Sequence, residues 1–319
     1  MAAANIDLNP TKPGGLAVHP TNKWLGVQAK SAIYLVNIDD FSPNFGVATE
    51  AFNGGGSEFL NAETEAGVRN TVGVAFRSDG RYCYVSSRKN AANSNESNLF
   101  IFEVPPALPG NLVLKKYLPS LGFGFANTVC TDMHVGEDGY LYMARDEVGK
   151  IFRLSMLKNP ASYTDADLEE YTPSFNAWTV APISLSTSRN GRELFTLWPL
   201  ANKEYSWSST YDPGSGTFGN INIGDTLTAV AAPAEIFRVA ITMDSRWAII
   251  SQKKNCGLSP NAFASPFIKL PPNPATTDAG TNMILPNNWA NVAEITKNGK
   301  AGYFALNSPN YNDVIFDQD

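Results

Sequence analysis

The chain has 319 residues, enough for one large domain or two ordinary ones, and a hydrophobic share of 43% supports a sizeable core. Charged residues make up only 17% of the chain and the net charge is -6, which argues against binding to a nucleic-acid backbone. The chain contains no run of about 18 apolar residues, so we expect no membrane span, and its three cysteines are too scattered for a zinc site or a disulfide framework.

One phrase of the sequence recurs along the chain. At 74–86 it reads VAFRSDGRYCYVS, an apolar strand, a polar turn that ends at Gly80 and a second strand. The positions equivalent to Gly80 are Asn22, Gly139, Gly191, Ser245 and Gly299. The spacings between them are 52 to 59 residues, and a period of about 50 residues is typical of propellers and solenoids.

In chain order, each repeat predicts the same strands, because β-branched and aromatic residues alternate with polar ones. First strands are predicted at 16–20, 74–78, 133–137, 183–187, 239–243 and 292–296, and second strands at 24–29, 82–87, 140–145, 193–198, 247–252 and 302–307. Third strands are predicted at 32–39, 98–104, 149–155, 266–270 and 313–318, and fourth strands at 45–52, 112–118, 174–180, 226–232 and 281–286. The best helical candidate is 162–171.

The inner-strand phrase resembles that of the YVTN and NHL-like β-propeller families. VAFRSDGRYCYVSS at 74–87 matches it well, and 16–29 and 239–251 match it less tightly. No Trp-Asp ending or Gly-His start recurs, so the chain does not resemble a WD40 protein. The resemblance implies a propeller over nearly the whole chain, with the fourth repeat (183–235) the most degenerate.

We therefore predict an all-β chain that forms a single six-bladed β-propeller, with seven blades if a long insert hides one. The blades are predicted at about 11–52, 53–118, 119–180, 181–232, 233–286 and 287–319. The sixth repeat ends at its third strand, so the N-terminal segment 4–10 is predicted to pair beside it and close the ring.

Two groups of residues are candidates for a functional site. Tyr205, Trp207 and Tyr211 lie in a Ser- and Gly-rich stretch and predict an interaction surface, with an elaborated hairpin as the alternative. Asn127, Asp132 and Glu294 could bind Ca²⁺ at the central channel as in lactonase-like propellers, or they could satisfy backbone groups there.

Three further interpretations concern packing. His19 and His134, the only histidines, are interpreted as a turn residue and a polar residue of an inner strand. Trp24, Tyr82 and Trp247 share one repeat position and are predicted to pack between blades.

The function predicted is that of a non-catalytic structural or recognition module. Its composition resembles that of bacteriophage or viral virion components such as tail, fibre or head-decoration proteins. This resemblance implies assembly subunits or a host-surface receptor as partners, no cofactor, and a place in the virion after synthesis in the host cytoplasm. The alternative is a cytoplasmic Ca²⁺-dependent, lactonase-like hydrolase, in which the metal would polarise a carbonyl and orient a water.

Overall fold

The fold is described by a computed structural model that covers the following parts of the chain. They are residues 5–7, 13–29, 32–39, 41–53, 73–88, 97–118, 130–136, 138–145, 151–171, 184–187, 194–197, 204–208, 211–212, 217–218, 221–226, 235–241, 247–253, 262–269, 282–286, 289–295, 301–307 and 313–318. From residue 184 onward, side chains are described at 185–187 and 194. Within these ranges the chain is all-β, apart from two single turns of 3-10 helix at Pro160–Ser162 and Asp165–Asp167.

The described strands form four-stranded antiparallel sheets that follow one another along the chain. Sheet 1 contains β2 (Pro13–Val18), β3 (Trp24–Ala29), β4 (Ala32–Asn37) and β5 (Ala48–Asn53). Sheet 2 contains β6 (Val74–Phe76), β7 (Tyr82–Arg88), β8 (Ser97–Glu103) and β9 (Val113–Leu118). Sheet 3 contains β10 (Cys130–Val135), β11 (Tyr140–Arg145), β12 (Ile151–Ser155) and β13 (Leu168–Tyr171).

The second half of the chain repeats this pattern. Sheet 4 contains β14 (Ser184–Thr187), β15 (Leu194–Leu197), β16 (Glu204–Ser208) and β19 (Ile221–Thr226), with a small hairpin of β17 (Tyr211–Asp212) and β18 (Thr217–Phe218) between the last two. Sheet 5 contains β20 (Glu235–Ile241), β21 (Trp247–Lys253), β22 (Ala262–Lys269) and β23 (Asn282–Pro286). Sheet 6 contains β24 (Trp289–Ile295), β25 (Ala301–Asn307), β26 (Asp313–Gln318) and β1 (Asn5–Asp7).

The N-terminal strand pairs with the C-terminal one, as the sequence predicted. β1 and β26 are antiparallel, with Asn5 opposite Ile315 and Asp7 opposite Asp313. The first strands of the sheets contact one another in the order β2, β6, β10, β14, β20 and β24, and β24 in turn contacts β2.

The helical candidate in the middle of the chain was wrong, and one strand was missed. The helical candidate 162–171 contains a 3-10 turn and then β13, because the alternation of buried Leu168 with exposed Glu169 suits a sheet edge beside β12. β13 is the fourth strand of sheet 3, and the strand predicted at 174–180 lies outside the described residues. In sheet 4, β19 ends at Thr226, where the predicted strand began, and the third strand β16 was not predicted.

The turns between first and second strands confirm the alignment for the first three repeats, whereas Gly191, Ser245 and Gly299 lie outside the described residues. Asn22, Gly80 and Gly139 all have left-handed backbone, with φ of 56°, 72° and 82°. Because the four strands of each sheet are consecutive and antiparallel, the connections from first to second and from third to fourth strand lie at the same end of the strands. We call this end of the sheets the turn edge.

The core lies between consecutive sheets. Alternate residues of a strand point to opposite faces, so sheet 2 buries one face against sheet 1 and the other against sheet 3. Phe76, Phe100 and Phe102 pack on the sheet 1 side, whereas Tyr84 and Ile101 pack on the sheet 3 side. Sheets 3 and 4 meet through Tyr142, Ala144, Ile151, Leu185 and Leu194.

The aromatic residues that follow the turns also pack between sheets. Trp24 lies against the core of sheets 1 and 2, and Tyr82 lies against the core of sheets 2 and 3. The packing prediction is confirmed for these two residues, while the side chain of Trp247 lies outside the described part. No helix among the described residues is long and apolar enough to cross a membrane.

Candidate functional site

Asp132 and His134 of β10 join sheet 3 to sheet 4. β14 is the first strand of its sheet and pairs with β15 on one side, which leaves the main-chain groups of its other edge in need of partners. Asp132 Oδ2 accepts the N–H of Leu185 at 3.2 Å, and His134 Nδ1 accepts the N–H of Thr187 at 3.3 Å. Two side chains of β10 therefore take the place of a neighbouring strand.

Asp132 satisfies two first strands at once. Its other carboxylate oxygen, Oδ1, accepts the N–H of Met133 at 3.0 Å. This is the alternative role that the sequence predicted, the satisfaction of backbone groups at the inner strands. The hydroxyl of Thr187 completes the junction because it donates to the carbonyl of Val135 at 3.1 Å.

The three residues predicted to bind calcium are not brought together in the described part of the chain. Asn127 lies outside it, and Glu294 is placed on β24 opposite Tyr303, with its side chain undescribed. β10 and β24 are three steps apart in the order in which the first strands contact one another. No group of three or more His, Cys, Asp or Glu among the described residues is placed to hold a metal ion. The calcium site stays a prediction.

His19 joins sheet 1 to sheet 2 at the turn edge. The ring is 6% exposed, and its Nε2 lies 3.2 Å from the carbonyl oxygen of Gly80. Nδ1 accepts the N–H of Thr21 at 3.3 Å, and the ring meets the edge of Phe76 at a centroid distance of 5.1 Å. As predicted, His19 is a turn residue and His134 belongs to an inner strand.

Arg77 occupies the repeat position of His19 and makes the next junction. Its Nη1 donates to the carbonyl of Met156 in sheet 3 at 3.4 Å, and its guanidinium lies 4.3 Å from the centre of the Tyr82 ring. Arg77 also pairs with Asp79, and this hydrogen bond holds the pKa of the Asp79 carboxyl below its usual value. Consecutive junctions at the turn edge thus use different side chains at one register position.

Asp138 is a partly buried carboxyl that the sequence did not single out. Burial raises its pKa, although the hydroxyl of Tyr142 donates to Oδ2 at 2.6 Å. Oδ1 accepts the N–H of Tyr140 at 3.2 Å, just as Asp79 accepts that of Arg81 at 2.9 Å. The shared turn motif, Asp followed by Gly, was the available signal, and it marks an Asp that bonds to the backbone two residues on.

The turn edge also exposes large apolar side chains. Phe41, between β4 and β5, is 96% exposed, and Leu157, after β12, is 81% exposed. The loop of Phe41 is held by many local hydrogen bonds, including Asp39 Oδ1 to the N–H of Phe41 at 3.3 Å and Asn37 Nδ2 to Ser42 Oγ at 2.9 Å. An ordered loop therefore presents an exposed aromatic ring.

The three aromatic residues predicted to form an interaction surface lie on strands whose side chains are outside the described part, so the surface stays a prediction. Tyr205 and Trp207 are placed within β16, where Trp207 is opposite Phe195. Tyr211 begins the hairpin of β17 and β18, which the connection between third and fourth strands places at the turn edge of sheet 4.

A small cavity of about 40 Å³ lies at the first strands of sheets 1, 2 and 3. Small apolar residues such as Ala17, Val74 and Ala75 line it, and His134 is the polar residue of the lining. A cavity of this size has room for a few water molecules at most.

The sequence matches no protein-family model and no curated protein. The structure is similar to a solved structure of hydrazine synthase from Kuenenia stuttgartiensis, with a TM-score of 0.51 and 13% identity. The match covers 94% of this chain and 75% of that one. At this identity the likeness concerns the fold alone.

Proposed function

We propose that the chain is a closed six-bladed β-propeller that works as a non-catalytic scaffold and binds another protein through its turn edge. The four-stranded sheets, the succession of contacts between first strands and the pairing of β1 with β26 support the ring. The polar side chains of the inner strands support a structural rather than a catalytic role, because Asp132 and His134 accept hydrogen bonds from the backbone of the neighbouring sheet.

The observation that carries the binding proposal is the exposure of Phe41 on an ordered loop. Aromatic residues are enriched among the side chains that dominate binding energy at interfaces. A loop that is already ordered loses little conformational entropy when a partner binds, so more of the contact energy appears as affinity. We further propose that the scaffold is a component of a bacteriophage or viral virion. The support for this proposal is the composition of the chain.

Two measurements test this function. Native mass spectrometry of untagged protein purified without chelator is expected to give a metal-free chain. A bound Ca²⁺ that is lost with EDTA would overturn the scaffold in favour of the metal-dependent hydrolase, and lactone hydrolysis would then be assayed.

The second measurement uses the exposed ring. Wild-type protein and the variants Phe41→Ala and Val113→Ala are immobilised separately. Each is incubated with a cell extract of the organism from which the protein comes. Val113 is the control for the loss of an exposed apolar side chain, because it is 50% exposed on β9 of the next sheet and does not belong to the loop of Phe41. We expect at least one protein of the extract to bind to immobilised wild type and to Val113→Ala, but not to Phe41→Ala. Equal retention by all three would refute the role of Phe41.

A further inference from the structure

Exposed apolar side chains collect where the outer strands of sheets 2 and 3 lie side by side. β9 and β13 are the last strands of these sheets, and within the described chain each pairs with one strand only. Val113 and Leu114, at the start of β9, are 50% and 42% exposed, and Leu157, in the connection from β12 to β13, is 81% exposed. The 3-10 turn at Pro160–Ser162, which follows Leu157, contacts β9. Three of the five large apolar side chains that the described residues expose therefore lie in this one region.

The two sheets differ in the sign of their charge. Residues 74–118, which span sheet 2, contain six Lys and Arg and three Asp and Glu. Residues 130–171, which span sheet 3, contain four Lys and Arg and nine Asp and Glu. The outer strands follow the same division, because β9 contains two consecutive lysines and β13 contains two consecutive glutamates. Sheet 2 is thus a positive region of a chain whose net charge is -6, and its neighbour is acidic.

Part of this charge is not neutralised within its own sheet. Lys115 of β9 pairs with Glu103 of β8 at 2.6 Å, and Glu169 of β13 pairs with a cation of β12. Lys116 forms no ion pair within the described part of the chain. It lies opposite Ile101, which packs toward sheet 3, so Lys116 stands on the side of β9 that is next to sheet 3. The outer end of sheet 2 can therefore attract an acidic partner.

A second copy of the chain supplies that partner through a two-fold axis between the outer ends of sheets 2 and 3. In a two-fold dimer the same surface patch of each copy meets the other in reverse order. Sheet 2 of each copy then faces sheet 3 of the other, so a basic strand meets an acidic strand twice. Val113, Leu114 and Leu157 lie beside these charges, and apolar side chains surrounded by polar ones are the usual composition of an interface.

We propose that the chain forms a two-fold symmetric dimer through the outer ends of sheets 2 and 3, with β9 of each copy opposite β13 of the other. The dimer goes beyond the scaffold function, because its surface does not include the loop of Phe41. Failure of either proposal therefore leaves the other standing. Salt screens the attraction between exposed charges, so the dimer is weaker at high ionic strength.

Sedimentation velocity over a range of protein concentrations, at low and at high ionic strength, tests the proposal. The variants are Lys116→Glu, Glu170→Lys and the chain that carries both substitutions. Glu170 is chosen because Glu169 already pairs with Arg153 in its own sheet. By symmetry each single substitution turns attraction into repulsion at two places in the dimer. Each is expected to raise the dissociation constant about tenfold at low ionic strength.

The double variant restores opposite charges across the interface at an unchanged net charge, so its dissociation constant should return close to that of wild type. The control is Glu50→Lys, which reverses a charge at an exposed position of the outer strand β5 in sheet 1 and should leave the dimer unchanged. A wild type that stays monomeric at low ionic strength would overturn the proposal. So would a dimer that neither single variant weakens, a double variant as weak as the single ones, or a control that weakens the dimer equally.

Cross-linking of the wild-type protein decides the matter if a variant does not fold. A carbodiimide joins a lysine amine directly to a neighbouring carboxylate, and a mixture of unlabelled and isotope-labelled protein separates links between copies from links within one copy. We expect links between copies from Lys115 or Lys116 to Glu169 or Glu170. The absence of links between copies at these lysines would be evidence against the dimer.

Discussion

Replacement of Gly80 by alanine tests how the turn edge of sheet 2 is joined to sheet 1. Gly80 has a φ of 72°, and an added Cβ would lie 2.6 Å from His19 Nε2 and 2.8 Å from Cε1. A left-handed backbone costs a residue with a Cβ about 1–2 kcal/mol. The ring of His19 is buried and must shift, so its hydrogen bond to the Gly80 carbonyl is lost at a further cost of about 1 kcal/mol. We expect a loss of about 2–3 kcal/mol in the free energy of unfolding.

Gly139→Ala is the matched control for this variant. Gly139 has a φ of 82°, but its Cβ would meet Leu157 Cδ2 at 3.3 Å, and Leu157 is an exposed side chain that can move aside. This variant should therefore lose only the conformational part, about 1–2 kcal/mol. Urea unfolding followed by tryptophan fluorescence gives both values from the shift of the midpoint at constant slope. A Gly80→Ala protein no less stable than Gly139→Ala would refute the contact with His19.

Three further predictions concern the junctions and the edges of the sheets. Asp132→Asn is expected to lower the free energy of unfolding by about 1–3 kcal/mol, because an amide has one acceptor oxygen for the two N–H groups that the carboxylate satisfies. The control is Glu50→Gln at an exposed position of the outer strand β5, and equal effects of the two would contradict the role of Asp132. In a variant with Cys130 and Cys256 replaced by serine, Cys83 should not react with a thiol reagent until the protein unfolds, because burial excludes the reagent and raises the pKa of the thiol. Labelling of the native protein would contradict this. Removal of residues 1–7 should cause self-association visible by light scattering, because it leaves the edge of β26 at Asp313–Ile315 unpaired, and an assembly no larger than that of wild type would be the contrary result.

The repeat could be recognised in the sequence because the first two strands and the turn between them recur with the same residue pattern. Alternation of apolar and polar residues predicts a strand, and Asn22, Gly80 and Gly139 mark turns that need a left-handed residue. These signals are local in sequence, so they predicted an all-β chain and the hairpins between first and second strands. The pairing of β1 with β26 followed from the number of strands in the repeats, because the sixth repeat ends at its third strand. They failed where the pattern is weak. The stretch of β13 contains two consecutive glutamates beside helix-compatible residues, and only the ladder with β12 makes it a strand.

The roles of single side chains were decided by tertiary structure. Composition and spacing left Asp132 open to two interpretations, a metal ligand or a partner for the backbone. Its neighbours in space, Met133 and Leu185, are 52 residues apart in the sequence, and no local pattern reports such a contact. The same holds for His19, whose partner Gly80 belongs to the next sheet. The sequence alone determined most of the strands and their order, because these follow from interactions between near neighbours, although it did not show β13 or β16. The contacts between sheets depend on which faces meet, and that is set only when the whole chain is folded.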